Sequence, residues 1–158
     1  EGRIIIPFID EEGNVFGYQG RSLHNTGLRY ITILLNEDRP KIFGMNSVDY
    51  DQTIFVTEGP FDSLLLENSL AMAGADVSDN DVLGDFVYVY DNEPRNPQIT
   101  ARIGKHISQG HKVVIWPTNI KEKDINDMYL AGFPVNEIVK SNTYHGLNAK
   151  LKFNDWKK

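Results

Sequence analysis

The sequence predicts an α/β fold preceded by a small β-rich lobe. From Asp51 onward, three apolar runs of five or six residues alternate with segments of helical spacing, which is typical of parallel strands whose connecting helices cover the sheet. The first 50 residues instead contain apolar runs separated by turn residues. With 158 residues, 41% of them apolar, the chain is long enough for one average domain and a small additional lobe.

The N-terminal lobe, residues 1–50, is predicted to consist of short strands. Residues 3–8 (RIIIPF) form the first strand, and residues 15–20 (VFGYQG) form the second after a turn that contains Gly-Asn. Residues 30–35 (YITILL) form a third apolar run ahead of a polar stretch.

The second domain, residues 51–141, is predicted to alternate strands with helices. Its strands are continuously apolar and rich in β-branched or aromatic residues, as strands buried on both faces are. The predicted elements are strand 53–57, a helix from Pro60 to about residue 69, strand 85–90, helix 94–109, strand 112–116 and helix 127–131. Residues 142–158 are polar, with a basic end, and remain unplaced.

Charge and composition exclude several classes of protein. The chain has 22 acidic and 16 basic residues, a net charge of −6, and no cysteine. The absence of cysteine excludes a disulfide framework, a Cys-ligated zinc site and a thiol nucleophile. A uniformly acidic surface would argue against a nucleic-acid partner, so the positions of the charges matter.

Acidic side chains follow each of the three predicted strands. Because ligands of open α/β sheets bind beyond the carboxyl ends of the strands, we expect these side chains to converge on one edge. Their summed charge equals the net charge, since the other residues include 16 acidic and 16 basic side chains. The six are Glu58, Asp62, Asp91, Glu93, Asp124 and Asp127.

Six carboxylates on one edge repel one another unless they are protonated or neutralised by cations. Mg²⁺ and similar hard cations prefer oxygen ligands and keep open coordination positions for water and phosphate, which suits phosphoryl or nucleotidyl transfer. Acidic residues after strands also cap helices. Capping is the simpler interpretation for any one of these residues, whereas the convergence of three segments favours a metal site.

Four segments resemble TOPRIM domains, which occur in bacterial-type primases, topoisomerases, recombination mediators and some nucleases. Residues 56–64 (VTEGPFDSL) resemble the family's Glu-Gly-x-x-Asp motif, and residues 87–96 (VYVYDNEPRN) fall where the family has Asp-x-Asp. Residues 123–128 (KDINDM) and 2–23 resemble segments particular to the primases. The resemblance covers most of residues 2–132 and extends to the primases of T-even-like bacteriophages, whose second motif also reads Asp-Asn-Glu-Pro-Arg-Asn.

The sequence departs from the family pattern at two points. Glu93 stands where most members have Asp, and the usual DGDxAG glycines are replaced by DNEPRN, so the turn geometry must differ. The zinc-ribbon module that accompanies such primases is absent from this cysteine-free chain, and no helicase-interacting segment is recognisable.

The resemblance implies specific roles for the carboxylates. Glu58 is expected to act as acid-base residue or to lie near a metal ion beside the 3′-hydroxyl. Asp91 and Glu93 are expected to hold two Mg²⁺ or Mn²⁺ ions that bridge the incoming triphosphate. The further ligands, or residues that position metal-bound water, are Asp62, Asp124 and Asp127.

The resemblance also implies a binding surface for template and nucleotide. Arg3, Arg21 and Lys41 occupy positions similar to basic residues of the family's small lobe, although surface solvation is an equal alternative for the first and last of these. Gly59 permits close approach of a nucleotide, or is a plain turn glycine. Arg95 contacts a phosphate or balances the neighbouring carboxylate.

The other chemically suggestive side chains are expected to have structural roles. Phe61 and Trp116 are predicted to lie in the core and not to stack on bases. The four histidines lack metal-ligand spacing, so we expect them on the surface or in packing contacts. They are His24, His106, His111 and His145.

The function that the resemblance implies is that of the RNA-polymerase core of a DNA primase. The expected partners are a single-stranded DNA template, ribonucleoside triphosphates, a replicative helicase and a zinc-binding module of the longer protein, from which this chain, beginning at Glu1, is expected to be excised. No apolar run approaches bilayer length, so no membrane partner is expected. The resemblance to phage primases implies a location in the host-cell cytoplasm. A TOPRIM nuclease and a non-catalytic DNA-repair scaffold remain open alternatives.

Overall fold

The computed structural model describes residues 2–24, 27–73 and 84–158. They form two β-sheets and five helices. In chain order the elements are β1 (Arg3–Ile9), β2 (Val15–Ser22), β3 (Tyr30–Leu34), β4 (Ile42–Phe43), β5 (Thr53–Thr57), α1 (Pro60–Ser63), β6 (Ser69–Met72), β7 (Asp85–Val89), α2 (Pro97–Ser108), β8 (Lys112–Val114), α3 (Ile125–Leu130), α4 (Val135–Ser141), β9 (Thr143–Tyr144) and α5 (Gly146–Trp156).

The first sheet is antiparallel, with the strand order β1-β2-β3. Its side chains alternate between two environments, as the period of a strand requires. Ile6 and Phe8 are buried, whereas Ile5 is exposed. Gly17 lies where β2 and β3 approach closely, since a Cβ atom there would come within 2.8 Å of the Ile33 carbonyl oxygen. The sheet therefore has one face turned to the interior of the protein, and its three strands confirm the predicted β-rich lobe.

The second sheet is mixed and has the strand order β4-β6-β5-β7-β8-β9. The central strands β6, β5, β7 and β8 are parallel, and both edge strands are antiparallel. Ile54 and Phe55, which point to opposite faces of β5, are both buried, and so are Val87 and Tyr88 of β7. This burial confirms the predicted strands buried on both faces. The sheet is thus the mainly parallel α/β sheet that the sequence predicts.

The helix predicted for residues 60–69 is wrong in length. Helix α1 ends at Ser63, and Ser69–Met72 forms the parallel strand β6 beside β5. The apolar run supports either structure locally, but Leu70 is fully buried between neighbouring strands. Burial in the sheet therefore decides the conformation of this segment.

Two other helices begin at different residues than predicted, because capping side chains set their starts. Asn96 caps α2, so this helix begins at Pro97. Asp124 caps α3 by accepting a hydrogen bond from the amide of Asp127. The cap of α3 is one of the acidic residues for which capping was the simpler interpretation.

The unplaced tail forms β9 and α5. Strand β9 completes one edge of the second sheet, and α5 packs against α2 and β8. Strand β4, from within the first 50 residues, pairs with β6 at the other edge, while the domain boundaries at residues 50 and 141 stay predictions. None of the helices in the described ranges has the length and apolar character needed to cross a bilayer.

Candidate active site at the carboxyl ends of the parallel strands

A cleft of ≈ 670 Å³ lies between the first sheet and the carboxyl ends of β5 and β7. The chain runs from β5 to β6, which pairs with one edge of β5, and then to β7, which pairs with the opposite edge of β5. The order in which strands are added to the sheet therefore reverses between β5 and β7. Such a switch point opens a crevice beyond the strand ends. One wall, the acidic wall, contains Glu58, Asp62, Asp91, Asp124 and Asp127, and the facing wall, the basic wall, contains Gln19, Arg21, Arg29, Tyr30 and Thr32.

Glu58 and Asp91 are neighbours in the acidic wall because their strands are in register. Thr57 pairs with Val89 across β5 and β7, so Glu58 and Asp91 leave the same end of the sheet. Burial, together with the charges of Glu58 and Asp62, raises the pKa of Asp91 to about 7, against the lowering effect of Lys123. The ammonium of Lys123 lies 3.8 Å from Asp91 Oδ2.

Glu58 also has a raised pKa, chiefly because it is partly buried. The guanidinium of Arg102, on α2, opposes this shift from 3.6 Å away. Gly59, the next residue, lines the cleft, and a Cβ atom added to it would meet only Asp62 Oδ2 at 3.5 Å. The protein itself therefore leaves room at this glycine, and close approach of a nucleotide stays a prediction.

Asp62 connects α1 with α3. Burial raises the pKa of Asp62 to about 6, although its carboxylate accepts a hydrogen bond from the Asn126 amide at 3.1 Å. Asp124 and Asp127 add negative charge at the start of α3 and also raise the pKa of Asp62. Three segments of the chain thus bring five of the six predicted carboxylates to one wall.

Glu93 does not line this cleft; it lines a separate surface pocket that it shares with Arg95. Its Oε2 atom accepts a hydrogen bond from Asn96 Nδ2 at 3.3 Å, so Glu93 belongs to the turn that starts α2. Its charge still contributes to the raised pKa of Glu58. The direct metal-binding role predicted for Glu93 remains a prediction.

Only one of the three basic residues predicted in the N-terminal lobe lines the cleft. The Arg21 guanidinium lies over the Phe61 ring at 4.7 Å from its centroid. The Arg3 guanidinium donates hydrogen bonds to the carbonyls of Gly20 and Leu28, at 3.3 and 3.0 Å, so it ties the lobe together. Lys41 is exposed and precedes β4.

Several residues of the site were not predicted. The expectation that Phe61 lies in the core is wrong, because it is half-buried under Arg21 and lines the cleft. Lys123 directly precedes Asp124 in the sequence, so the prediction of Asp124 as a site residue could have included Lys123. Arg102 and Arg29 have no such local signal, since only the packing of α2 and of the first sheet brings them to the acidic wall.

The packing roles predicted for Trp116 and His106 are confirmed. Trp116 is buried and donates a hydrogen bond from Nε1 to the Tyr90 carbonyl at 2.8 Å. His106 is buried and stacks on Tyr88 with ring centroids 3.7 Å apart. Both side chains therefore pack in the protein interior, beside the second sheet.

The donor set of the acidic wall fits hard divalent cations. Every acidic side chain there offers oxygen, and burial together with mutual repulsion raises the pKa of Asp91 and Asp62. A divalent cation would relieve that repulsion. Within the described ranges, no three acidic or histidine side chains converge into a ready-made site. The arrangement would suit an open site, in which water and phosphate would supply the remaining ligands of a bound cation.

Comparison with solved structures finds the same architecture. The Aquifex aeolicus primase, solved with its zinc-binding and RNA polymerase domains, is 21% identical and superimposes with a TM-score of 0.67 over 90% of this chain and 41% of its own. A DnaG primase catalytic domain bound to single-stranded DNA is 16% identical, with a TM-score of 0.66 over 97% of this chain and 55% of its own. The fold is that of a TOPRIM-type primase catalytic core.

Within this class, sequence comparison relates the chain to a bacteriophage primase. The DNA primase of Enterobacteria phage T4 is 35% identical over 167 residues, an alignment that covers 100% of this chain. The chain is thus homologous over its whole length to part of a bacteriophage DNA primase, and its fold is of the TOPRIM type. It spans 48% of the length of this curated relative. No protein-family model matches the chain.

Proposed function

We propose that this chain is the RNA-polymerase core of a DNA primase, which joins ribonucleoside triphosphates into short primers on single-stranded DNA. The main support is the pairing of Glu58 and Asp91 at a switch point of the sheet, with raised pKa values and a basic wall opposite. The relatedness to phage T4 primase and the fold shared with a DnaG domain bound to single-stranded DNA point to the same reaction.

The acidic wall is proposed to hold two Mg²⁺ or Mn²⁺ ions. Asp91, Glu58 and Asp62 are the primary ligand candidates, because all three are partly buried and the charge of Glu58 acts on the other two. Asp124 and Asp127, at the start of α3, would position water bound to these ions. When bound, divalent cations neutralise the charge that develops on the attacking and leaving oxygens.

Glu58 is proposed to accept the proton of the attacking hydroxyl. Its pKa is raised above the ordinary value, which makes a carboxylate a better proton acceptor near neutral pH. The 3′-oxygen then bonds to the α-phosphorus of the incoming nucleotide, and pyrophosphate leaves. Arg21, on the opposite wall, is placed to neutralise a phosphate group.

The proposal concerns the core alone. A zinc-binding module and a replicative helicase are the expected partners of the longer protein, working with it in the host-cell cytoplasm. The matched part is about half of the T4 relative, and the proposal does not extend to template selection or helicase coupling.

The test is incubation of the protein with labelled single-stranded DNA, four ribonucleoside triphosphates and Mn²⁺. We expect nucleotide-dependent oligoribonucleotides from the wild type, and none from Asp91→Asn or Glu58→Gln. Asp85→Asn is the matched control, because Asp85 begins the same strand β7 at its opposite end and is hydrogen-bonded there by Lys112 at 2.8 Å. This control should retain synthesis.

A second measurement separates the alternatives. Mn²⁺-dependent ATP binding is expected in the wild type and in Asp85→Asn, but not in Asp91→Asn. Cleavage of the labelled DNA without nucleotides would favour a nuclease. DNA binding that is independent of Mn²⁺ and unchanged by Asp91→Asn, with no product of either kind, would favour a scaffold.

A further inference from the structure

Asn92 connects the acidic motif to the loop between β8 and α3. It follows Asp91 directly, and its side-chain Nδ2 donates hydrogen bonds to the carbonyls of Ile120 and Glu122, both at 3.1 Å. Its backbone amide donates to the Lys123 carbonyl at 2.6 Å. Three hydrogen bonds from one residue therefore hold this loop against the end of β7.

The loop that Asn92 holds carries two groups of the site. The Lys123 ammonium lies 3.8 Å from Asp91 Oδ2 and lowers the pKa of Asp91. Asp124, the next residue, lines the cleft and caps α3. A displacement of the loop would move both charges relative to Asp91. Loss of the Asp124 oxygens from the cleft weakens cation binding, whereas the half-exposed Lys123 pairs only weakly with Asp91, so the net effect is weaker binding.

The remaining polar atom of the Asn92 side chain is bonded by the C-terminal helix. Trp156, near the end of α5, is buried and donates a hydrogen bond from Nε1 to Asn92 Oδ1 at 3.0 Å. Two carbonyl acceptors on one side and an indole donor on the other fix the orientation of the Asn92 amide. The amide of Lys158 also donates to the Pro94 carbonyl, at 3.0 Å.

The DNEPRN motif thus uses a side chain where TOPRIM domains usually have glycine. A glycine at position 92 has no amide group with which to hold the loop or to receive the Trp156 indole. The departure from the family pattern therefore coincides with a contact from α5, a helix for which the sequence gives no functional role.

We infer that Asn92 and Trp156 are positioning residues of the cleft, and that α5 thereby sets the affinity of the acidic wall for divalent cations. Removal of the indole donor leaves Asn92 Oδ1 without its partner, so the amide can rotate away from the Ile120 and Glu122 carbonyls. The loop then keeps only the backbone bond from Asn92 to Lys123, so Lys123 and Asp124 can shift relative to Asp91. The interpretation of the cleft rests on the proposed function, but the effect on cation binding does not require primer synthesis.

The test compares Mn²⁺ affinity in four variants by electron paramagnetic resonance. Trp156→Phe, which keeps a ring beside Phe153, is expected to weaken binding about 5-fold, in line with the loss of one hydrogen bond. Asn92→Ala is expected to weaken it about 10-fold. The double variant should match Asn92→Ala, because Trp156 acts only through Asn92.

Phe153→Leu is the control for a general loosening of α5, since Phe153 packs beside Trp156 without a bond to Asn92. This control should bind Mn²⁺ as the wild type does. Wild-type affinity in Trp156→Phe, an equal loss in Phe153→Leu, or additive losses in the double variant would each overturn the inference. Should Trp156→Phe fail to fold, Asn92→Ala alone decides, because unchanged affinity in that variant also contradicts the inference.

Primer synthesis provides a separate readout. Saturating Mn²⁺ is expected to restore the rate of Trp156→Phe, because its defect lies in cation affinity and not in the reacting groups. If the wild type makes no primers but Trp156→Phe still weakens Mn²⁺ binding, the proposed function fails and the inference stands. If primers are made and Mn²⁺ affinity is unchanged by Trp156→Phe, the inference fails and the proposed function stands.

Discussion

Glu58 and Asp91 stand side by side at the ends of two adjacent parallel strands, and the charge of Glu58 is the largest electrostatic contribution, after burial, to the raised pKa of Asp91. Lys123 compensates for only part of this charge, from 3.8 Å. The cleft therefore binds protons more tightly than separate carboxylates would, and this property gives measurable consequences.

Asp91→Asn is expected to stabilise the cation-free protein near pH 8 but not near pH 4. The folded protein holds the Asp91 proton up to about pH 7, against an ordinary pKa of 3.8, so the free energy of unfolding falls as pH rises through this window. Asparagine removes that loss. The expected gain at the higher pH is about 2 kcal/mol, roughly half of what the full shift would give, because Asp91 is only partly buried. Urea denaturation in EDTA measures it. An equal gain at both pH values would contradict the prediction.

Cation binding is expected to release protons below neutral pH. Because the pKa of Asp91 is about 7 and that of Asp62 about 6, a cation that binds near pH 6 must displace protons from them. Mn²⁺ affinity should therefore rise with pH and level off above about pH 8. Calorimetry in buffers of different ionisation enthalpy counts the protons released. Affinity that does not vary across this range would refute the assignment.

Arg102→Gln is expected to raise the pKa of Glu58. Arg102 lies 3.6 Å from Glu58 Oε1 and is the largest influence that lowers its pKa. The carboxyl carbon of Glu58 should therefore titrate at higher pH in the variant, as followed by ¹³C NMR. Arg95→Gln serves as the control, since Arg95 lines a different pocket, and an identical shift in the control would contradict the pairing.

Arg21→Gln is expected to weaken nucleotide and single-stranded DNA binding. Arg21 lines the cleft opposite the acidic wall and stacks on Phe61. Loss of one phosphate contact should reduce the dependence of log K on log salt by about one unit. Binding measured at several salt concentrations tests this, with Arg39→Gln as the control, because Arg39 pairs with Asp10 and Glu11. An unchanged salt dependence in Arg21→Gln would exclude the contact.

The predictable part of the molecule follows from rules that act locally. Residues 53–57 and 85–89 are apolar enough to require burial on both faces, and parallel strands place their carboxyl ends together. The sequence alone therefore predicts that Glu58 and Asp91 lie at one edge of the sheet. The TOPRIM resemblance added the N-terminal lobe and its Arg21.

The unpredicted part depends on how distant segments pack. The residues near Ser69 do not distinguish the end of a helix from a buried strand, because apolar residues are common in both. Arg29 and Arg102 reach the site only because the first sheet and α2 lie beside it. The hydrogen bond from Trp156 to Asn92 joins residues 64 positions apart, and no sequence pattern indicates this contact.

The two ends of β7 differ in how their charge is balanced. At its start, a lysine hydrogen bond lowers the pKa of Asp85, and Lys112 and Thr53 satisfy that carboxylate. Beyond its far end, Asp91 stays incompletely compensated. The sheet is consequently polarised along its strands, and a small cation diffusing near the protein is drawn preferentially towards the crevice.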